Sequence, residues 1–214
     1  VLGWPTMHHS TRRIAIALVS LYAAYLLAAN FLLNTSVAYS LANRQSERFV
    51  ASWDMAWSLY PGHFSARGVK LAGHARHMVW SVQADALRGR VALLPLFKNV
   101  VRVPSIIATG VTGGATRIDA ERVPPRPRPG GWTLRFDRAV ADDVRHAYFN
   151  DLVLQGNGRA EIGFVKTLRG GPMEVLPSQA HFESGDVWRD GAKLAWDASV
   201  NATFAIAAHR REEA

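Results

Sequence analysis

The chain of 214 residues has no cysteine, which excludes disulfides, thiolate metal sites and cysteine nucleophiles together. Catalytic signatures are also missing: there is no GxSxG elbow, P-loop, HExxH or kinase motif. His74 and His77 stand three apart in "HARH", but no further ligand follows at zinc-site spacing, so they read as exposed basic residues. The glycines of "GVTGG" (Gly110–Gly114) and "GNG" (Gly156–Gly158) lack the strand-to-helix context of a phosphate loop and read as turn glycines. Asp142 and Asp143 have no identifiable catalytic partner and read as a loop. The expectation is a protein that is not an enzyme and carries no cofactor and no metal. Lysine is scarce as well, so arginine supplies nearly all the positive charge.

One long hydrophobic run is present. Ile14 to Leu33, "IAIALVSLYAAYLLAANFLL", is twenty residues without a charge, about 30 Å as a helix and therefore the thickness of a bilayer core. A cleaved signal peptide carries a shorter apolar region, of about 7–15 residues. Arg12 and Arg13 precede the run and no acid does. The positive-inside rule then expects residues 1–13 in the cytoplasm, 14–33 across the bacterial inner membrane, and the rest in the periplasm. Within the run, Ser20, Ala24 and Ala28 form a small-residue stripe suited to close helix packing. Tyr22 and Tyr25 sit near mid-span, where their hydroxyls need hydrogen-bond partners, either on another helix or on their own backbone.

The remainder alternates with period two, the mark of strands with one apolar face. "RFVASWDMAWSLYPG", "HFSARGVKLAG", "RHMVWSVQADALRGRVALL", "GWTLRFDR" and "GRAEIGFVK" all do so, with glycine or proline between them. The longest case is "KLAWDASVNATFAIA", which reads as a single strand carrying Leu194, Trp196, Val200, Phe204 and Ile206 on one face. Only Leu93–Asn99 suggests another helix. The Pro-rich stretch "RVPPRPRPGG", Arg122 to Gly131, reads as an extended crossover between two halves, 34–121 and 132–214. "RGVKLAGHARHMVWSV" and "NDLVLQGNGRAEIGFV" echo one another as though one hairpin pattern were reused. The fold class expected is mainly β: one N-terminal transmembrane helix, then an elongated, curved antiparallel sheet. Transmembrane barrel strands also alternate but run to about 9–11 residues, so a barrel is rejected.

The order of these features resembles that of the AsmA-like bacterial envelope proteins, a group that includes TamB relatives. The resemblance rests on the anchor followed by "NTSVAYSLANRQSERF", then "WSLYPGHFSARGVKLAG", "VWSVQADALRGRVALLPLF" and "IIATGVTGG", and covers roughly residues 14–118. It implies a long, curved sheet whose concave apolar face holds acyl chains, and a role in handling lipid between membranes. Two roles follow as expectations: a lipid-handling periplasmic β-domain protein, or an accessory scaffold subunit capping a larger membrane complex. The expected partners are inner-membrane lipids and other transmembrane helices. After the span the chain carries a net charge of +6 from 23 basic and 17 acidic residues, which suits anionic head groups; the expected topology leaves nucleic acid out. If the small-residue stripe contacts a partner helix, Ala24→Leu with Ala28→Leu will reduce co-purification of partners from mild detergent. Unchanged co-purification removes that support.

Overall fold

The computed structural model describes residues 9–43, 49–75, 78–119, 131–168 and 173–207. The proline-rich Arg122–Gly131, apart from Gly131, lies outside these residues, as does His77. Helix α1 (His9–Leu33) contains a segment, Thr11–Leu33, long and apolar enough to cross a membrane. A short helix α2 (Ser36–Ala42) follows, and then ten strands. These are β1 (Phe49–Ser52), β2 (Met55–Trp57), β3 (His63–Ala75), β4 (Met78–Ala92), β5 (Val100–Arg117), β6 (Thr133–Phe149), β7 (Leu152–Thr167), β8 (Met173–Arg189), β9 (Ala192–Ala195) and β10 (Val200–Ile206). A 3-10 turn, Leu94–Lys98, caps the β4–β5 connection where a helix was expected.

All ten strands form one curved sheet that does not close, in the order β1-β3-β4-β5-β6-β7-β8-β10. Neighbours in sequence are neighbours in space, as a meander requires. The sheet is mixed, however, not purely antiparallel: β5 and β6 run parallel, from Val100 opposite Thr133 to Ala115 opposite Phe149. The cause is the crossover, which leaves the far end of β5 and re-enters at its near end.

The final stretch is also not one strand. Residues β9 and β10 both follow β8, but the course breaks between Ala195 and Val200. Asp197 takes a left-handed φ of 51° there, a conformation that Asp tolerates better than most residues. Its N–H approaches Asp186 Oδ1, while Lys193 Nζ bonds the other Asp186 oxygen at 2.6 Å. Period-two alternation therefore does not run through: Leu194 and Trp196 are 57% and 70% exposed, whereas Val200 packs on the sheet's core. Phe204 lies opposite Ser178 and Ile206 opposite Val175.

The same level is irregular in several strands. β1 and β2 part at Trp53–Asp54, and Gly68 and Gly110 take φ of +60° and +65°. The left-handed Asp143 interrupts the β6–β7 register and the β7–β8 register shifts beside Glu183. Asp142–Asp143 is thus a bulge inside a strand, not a loop, and Gly110–Gly114 and Gly156–Gly158 are strand residues, not turns. The sequence echo fails for the same reason: its first copy is the β3–β4 hairpin, and its second runs through β7 without turning. Bulges bend a strand and raise its twist, so those at Asp143 and Glu183, level with the left-handed Gly68 and Gly110, contribute curvature at this level.

The first edge is covered by the helices. Asn34 Nδ2 donates to Ala56 O at 2.6 Å, and its Oδ1 accepts from Ala56 N–H at 3.0 Å. Asn30 does the same with Ser58, at 3.1 and 2.8 Å, and Asn43 with Ala51, at 2.9 and 2.7 Å. In each case the amide's other N–H turns back to the carbonyl four residues earlier, at Leu26, Asn30 and Tyr39. A carboxamide presents one donor beside one acceptor, like a peptide group, so each asparagine mimics one residue of a neighbouring strand. The spacing permits it: four helical residues rise about 6.0 Å and two strand residues about 6.6 Å. Ala51, Ala56 and Ser58 are 5–7% exposed, small residues where the helix comes close. Asn34→Leu should strand two buried backbone groups and cost about 1–3 kcal/mol in denaturant melts in detergent, with Ser40→Ala as a neutral exposed control. Equal stability of both variants would sink this account of the edge.

Candidate functional site

Two surfaces carry the residues singled out by sequence. The first is the helix seam. Tyr22 Oη donates to Leu59 O at 2.8 Å, and Tyr25 Oη shares a 2.6 Å bond with Ser58 Oγ. The two mid-span hydroxyls are thus satisfied by the turn after β2, neither by a second helix nor by their own backbone. Trp53 Nε1 donates to Leu33 O at 3.0 Å and caps the helix end, while its ring stacks on Tyr39 at 4.5 Å. Ser20, Ala24 and Ala28 are exposed and face away from these contacts. The asparagines of this seam went unremarked in sequence. Their signal is present in retrospect: Asn30 and Asn34 are polar amides four residues apart at the end of an apolar run, a poor choice for lipid contact.

The second surface is the apolar face. Ala84, Val111, Val144 and Phe182 are 5–8% exposed and form one cluster, flanked by Val82, Ala108, Ala141, Ala147, Leu154 and Val200. The members come from β4, β5, β6, β7, β8 and β10, so the cluster runs across most of the sheet. Beyond the helix-covered edge, no second layer lies over it among the described residues. Many of these side chains are therefore only half-buried, although a soluble sheet covers its apolar face with helices or a second sheet.

Aromatic rings supply part of the cover. Trp80 lies directly opposite Gly73, Phe64 opposite Gly89, and Phe182 opposite Gly158. In each pair the ring folds over the glycine. A Cβ at Gly158 would meet the Phe182 ring at 2.5 Å, and one at Gly73 would meet Trp80 at 2.4 Å. Phe136 and Phe164 stack at 4.6 Å across β6 and β7.

The opposite face is polar and tied together by ion pairs. Arg145 on β6 reaches Asp85 on β4 at 2.9 Å as well as Asp143 at 2.6 Å, passing over Gly110 of the intervening β5. Arg102 on β5 and Arg135 on β6 both bond Asp137 at 2.6 Å. Burial raises the Asp137 carboxyl, but the two guanidiniums outweigh it and hold it below the usual range. A hollow of about 500 Å³ on this face is lined by Asn157, Arg159, Glu161, Gln179, His181, Glu183, Asn201 and Thr203, among others. His181 Nδ1 bonds Asn201 Oδ1. No group of three or more His, Asp or Glu residues suited to a metal ion occurs among the described residues. His74 is exposed and paired opposite Val79.

Comparison of the chain with protein-family models, with curated proteins and with solved structures finds no match. The surfaces therefore have to be read from their own chemistry. The ring-over-glycine arrangement makes a direct prediction. Gly158→Val forces the Phe182 ring off its seat and costs about 1–3 kcal/mol. Combined with Phe182→Ala, which vacates that seat, it should cost at least about 1 kcal/mol less than the sum of the single changes. Strict additivity in denaturant melts would rule out the packing described.

Proposed function

We propose that this chain is a membrane-anchored, non-enzymatic β-sheet protein whose apolar face binds acyl chains on the periplasmic side of a bacterial inner membrane. The observation that carries the reading is the apolar face itself: a buried cluster crossing from β4 to β10 and flanked by half-buried apolar side chains, with no second layer over it among the described residues. Apolar area of that size is costly to leave in water, and acyl chains are a ligand that it suits without directional polar contacts. Helix α1 supplies a means of holding such a face beside a lipid source. The resemblance of residues 14–118 to AsmA-like proteins agrees with the same chemistry.

A second reading, an accessory subunit of a larger membrane complex, is favoured by one observation: Ser20, Ala24 and Ala28 remain exposed while the tyrosines beside them are occupied. That leaves the small-residue side of the helix free for another helix. Both readings place the N-terminus in the cytoplasm. Protease added to intact spheroplasts will then digest the β-domain and spare an N-terminal tag; protection of the β-domain reverses the topology.

Val200 distinguishes an accessible face from a sealed one. On the lipid reading, Val200→Asp admits water to the face and lowers co-extracted lipid while circular dichroism stays unchanged. Unfolding of the variant means that the face is closed and the charge buried without a partner. A folded variant with undiminished lipid rejects acyl-chain binding at this surface.

A further inference from the structure

We propose that the end of the sheet beside the N-terminal half of α1 is a membrane-inserting rim, in which the turn at Leu59–Tyr60 and the loop Leu93–Phe97 enter an anionic leaflet next to the helix. This rests on the anchored reading above and adds to it how the β-domain sits on the lipid. Among the described residues, the hydrogen bonds from helix α1 to the sheet begin at Tyr22, which bonds Leu59. Of the apolar segment Thr11–Leu33, the part before these bonds is Thr11 to Leu21, about 16 Å at 1.5 Å per residue, half of a hydrocarbon core of about 30 Å. The rest of the span, Tyr22 to Leu33, already lies against the first edge of the sheet. A helix placed across the bilayer therefore carries the adjoining end of the sheet into the outer leaflet.

The side chains at that end are the ones lipid requires. Phe97 and Leu94 are 89% and 81% exposed, the most exposed large apolar side chains among the described residues, and Leu59, Tyr60 and Leu93 are 47–58% exposed. Proline and glycine positions alone would have closed these turns; nothing in the fold requires leucine and phenylalanine there, since none of the five is buried. Close behind them, nearest the same end, stand Arg88, Arg90, Lys98, Arg102 and Arg135, all exposed. Asp137 is the acid that Arg102 and Arg135 share. Apolar tips backed by cations match acyl chains backed by phosphates. The cations also set the depth, because they stay with the head groups. The shortfall in helix length is then met by the apolar rim and by local thinning of the bilayer.

The opposite end lacks this combination. Phe149, Leu152 and Leu194 are exposed there too, at 52%, 44% and 57%, so the difference between the ends lies in charge. Its surroundings, however, carry more acid than base: Asp119, Asp151, Asp186 and Asp190 lie towards that end with Arg117, Arg189 and Lys193, and Arg189 and Lys193 are bonded to Asp151 and Asp186 at 2.9 and 2.6 Å. The sheet thus has a basic, apolar-tipped end where the helix emerges and an acidic end away from it.

The absence of cysteine makes the test clean, because any introduced cysteine is the single labelling site. Leu18→Cys, Phe97→Cys and Phe149→Cys, each nitroxide-labelled in the full chain, are reconstituted into phosphatidylglycerol–phosphatidylcholine vesicles. Collision with oxygen is compared with collision with a water-soluble nickel chelate. Labels at 18 and 97 should favour oxygen severalfold over the label at 149. A lipid-exposed label at 18 with a water-exposed label at 97 overturns the rim and leaves the anchor standing. Water exposure at both overturns the anchored reading as well. Replacing phosphatidylglycerol with phosphatidylcholine should make the label at 97 shallower; an unchanged depth overturns the part assigned to the cationic belt.

Discussion

Everything about how this molecule meets its surroundings depends on three carboxamides. A sheet edge offers unpaired N–H and C=O groups, which in water invite aggregation and in lipid cannot be left bare. Asn30, Asn34 and Asn43 pair with that edge one residue at a time, and the second N–H of each amide stays within its own helix. The helix therefore acts as a surrogate outer strand. Because Tyr22, at the apolar segment's midpoint, bonds the turn beside the same edge, the seam also ties the height of the sheet to the position of the helix. A flexible tether would have left these independent.

The rest of the sheet solves a different problem: holding shape in one layer. With no second layer among the described residues, neighbouring strands cover one another's apolar groups. Rings folded over cross-strand glycines do this on one face, and arginine–aspartate links do it on the other. Exposed ion pairs of this kind contribute little each. Their placement matters more than their number, since Arg145–Asp85 and Arg102–Asp137 both reach across strand boundaries at or next to the parallel pair. The register shifts at Asp143 and beside Glu183, the left-handed Gly68 and Gly110 and the two broken edge strands lie at one level of the sheet.

Alternation made the strands legible in sequence, and an uncharged run of twenty residues made the helix legible. What alternation cannot register is a residue that leaves the period without changing composition. Asp143 and Asp197 are ordinary polar letters until their positive φ is known, which is why a bulge was read as a loop and a broken edge as one long strand. Glycines were read as turns because glycine permits turns; at 73, 89 and 158 the want of a side chain serves a ring on the next strand instead. The parallel pairing was illegible for another reason. It depends on where a proline-rich crossover re-enters the sheet, and the sequence of β5 or β6 taken alone does not encode that. Of the two candidate surfaces, the tyrosines of the seam were noticed and the asparagines were not, since Asn30 reads as a minor blemish in an apolar run.

The parallel seam divides the chain by more than direction. The long antiparallel pairs β3–β4, β4–β5, β6–β7 and β7–β8 each join strands consecutive in sequence, whereas Val100 meets Thr133 and Ala115 meets Phe149, contacts that close a loop of more than thirty residues each. Closing loops of that size is slow relative to hairpin formation. Two five-stranded halves, one ending at β5 and the other starting at β6, can therefore each assemble by local steps and join afterwards along a single line. During synthesis the first of them will be complete while the second is still being made, with β5 as a bare edge awaiting its partner. The order in which the halves emerge then decides whether that edge meets its own β6 or another copy's.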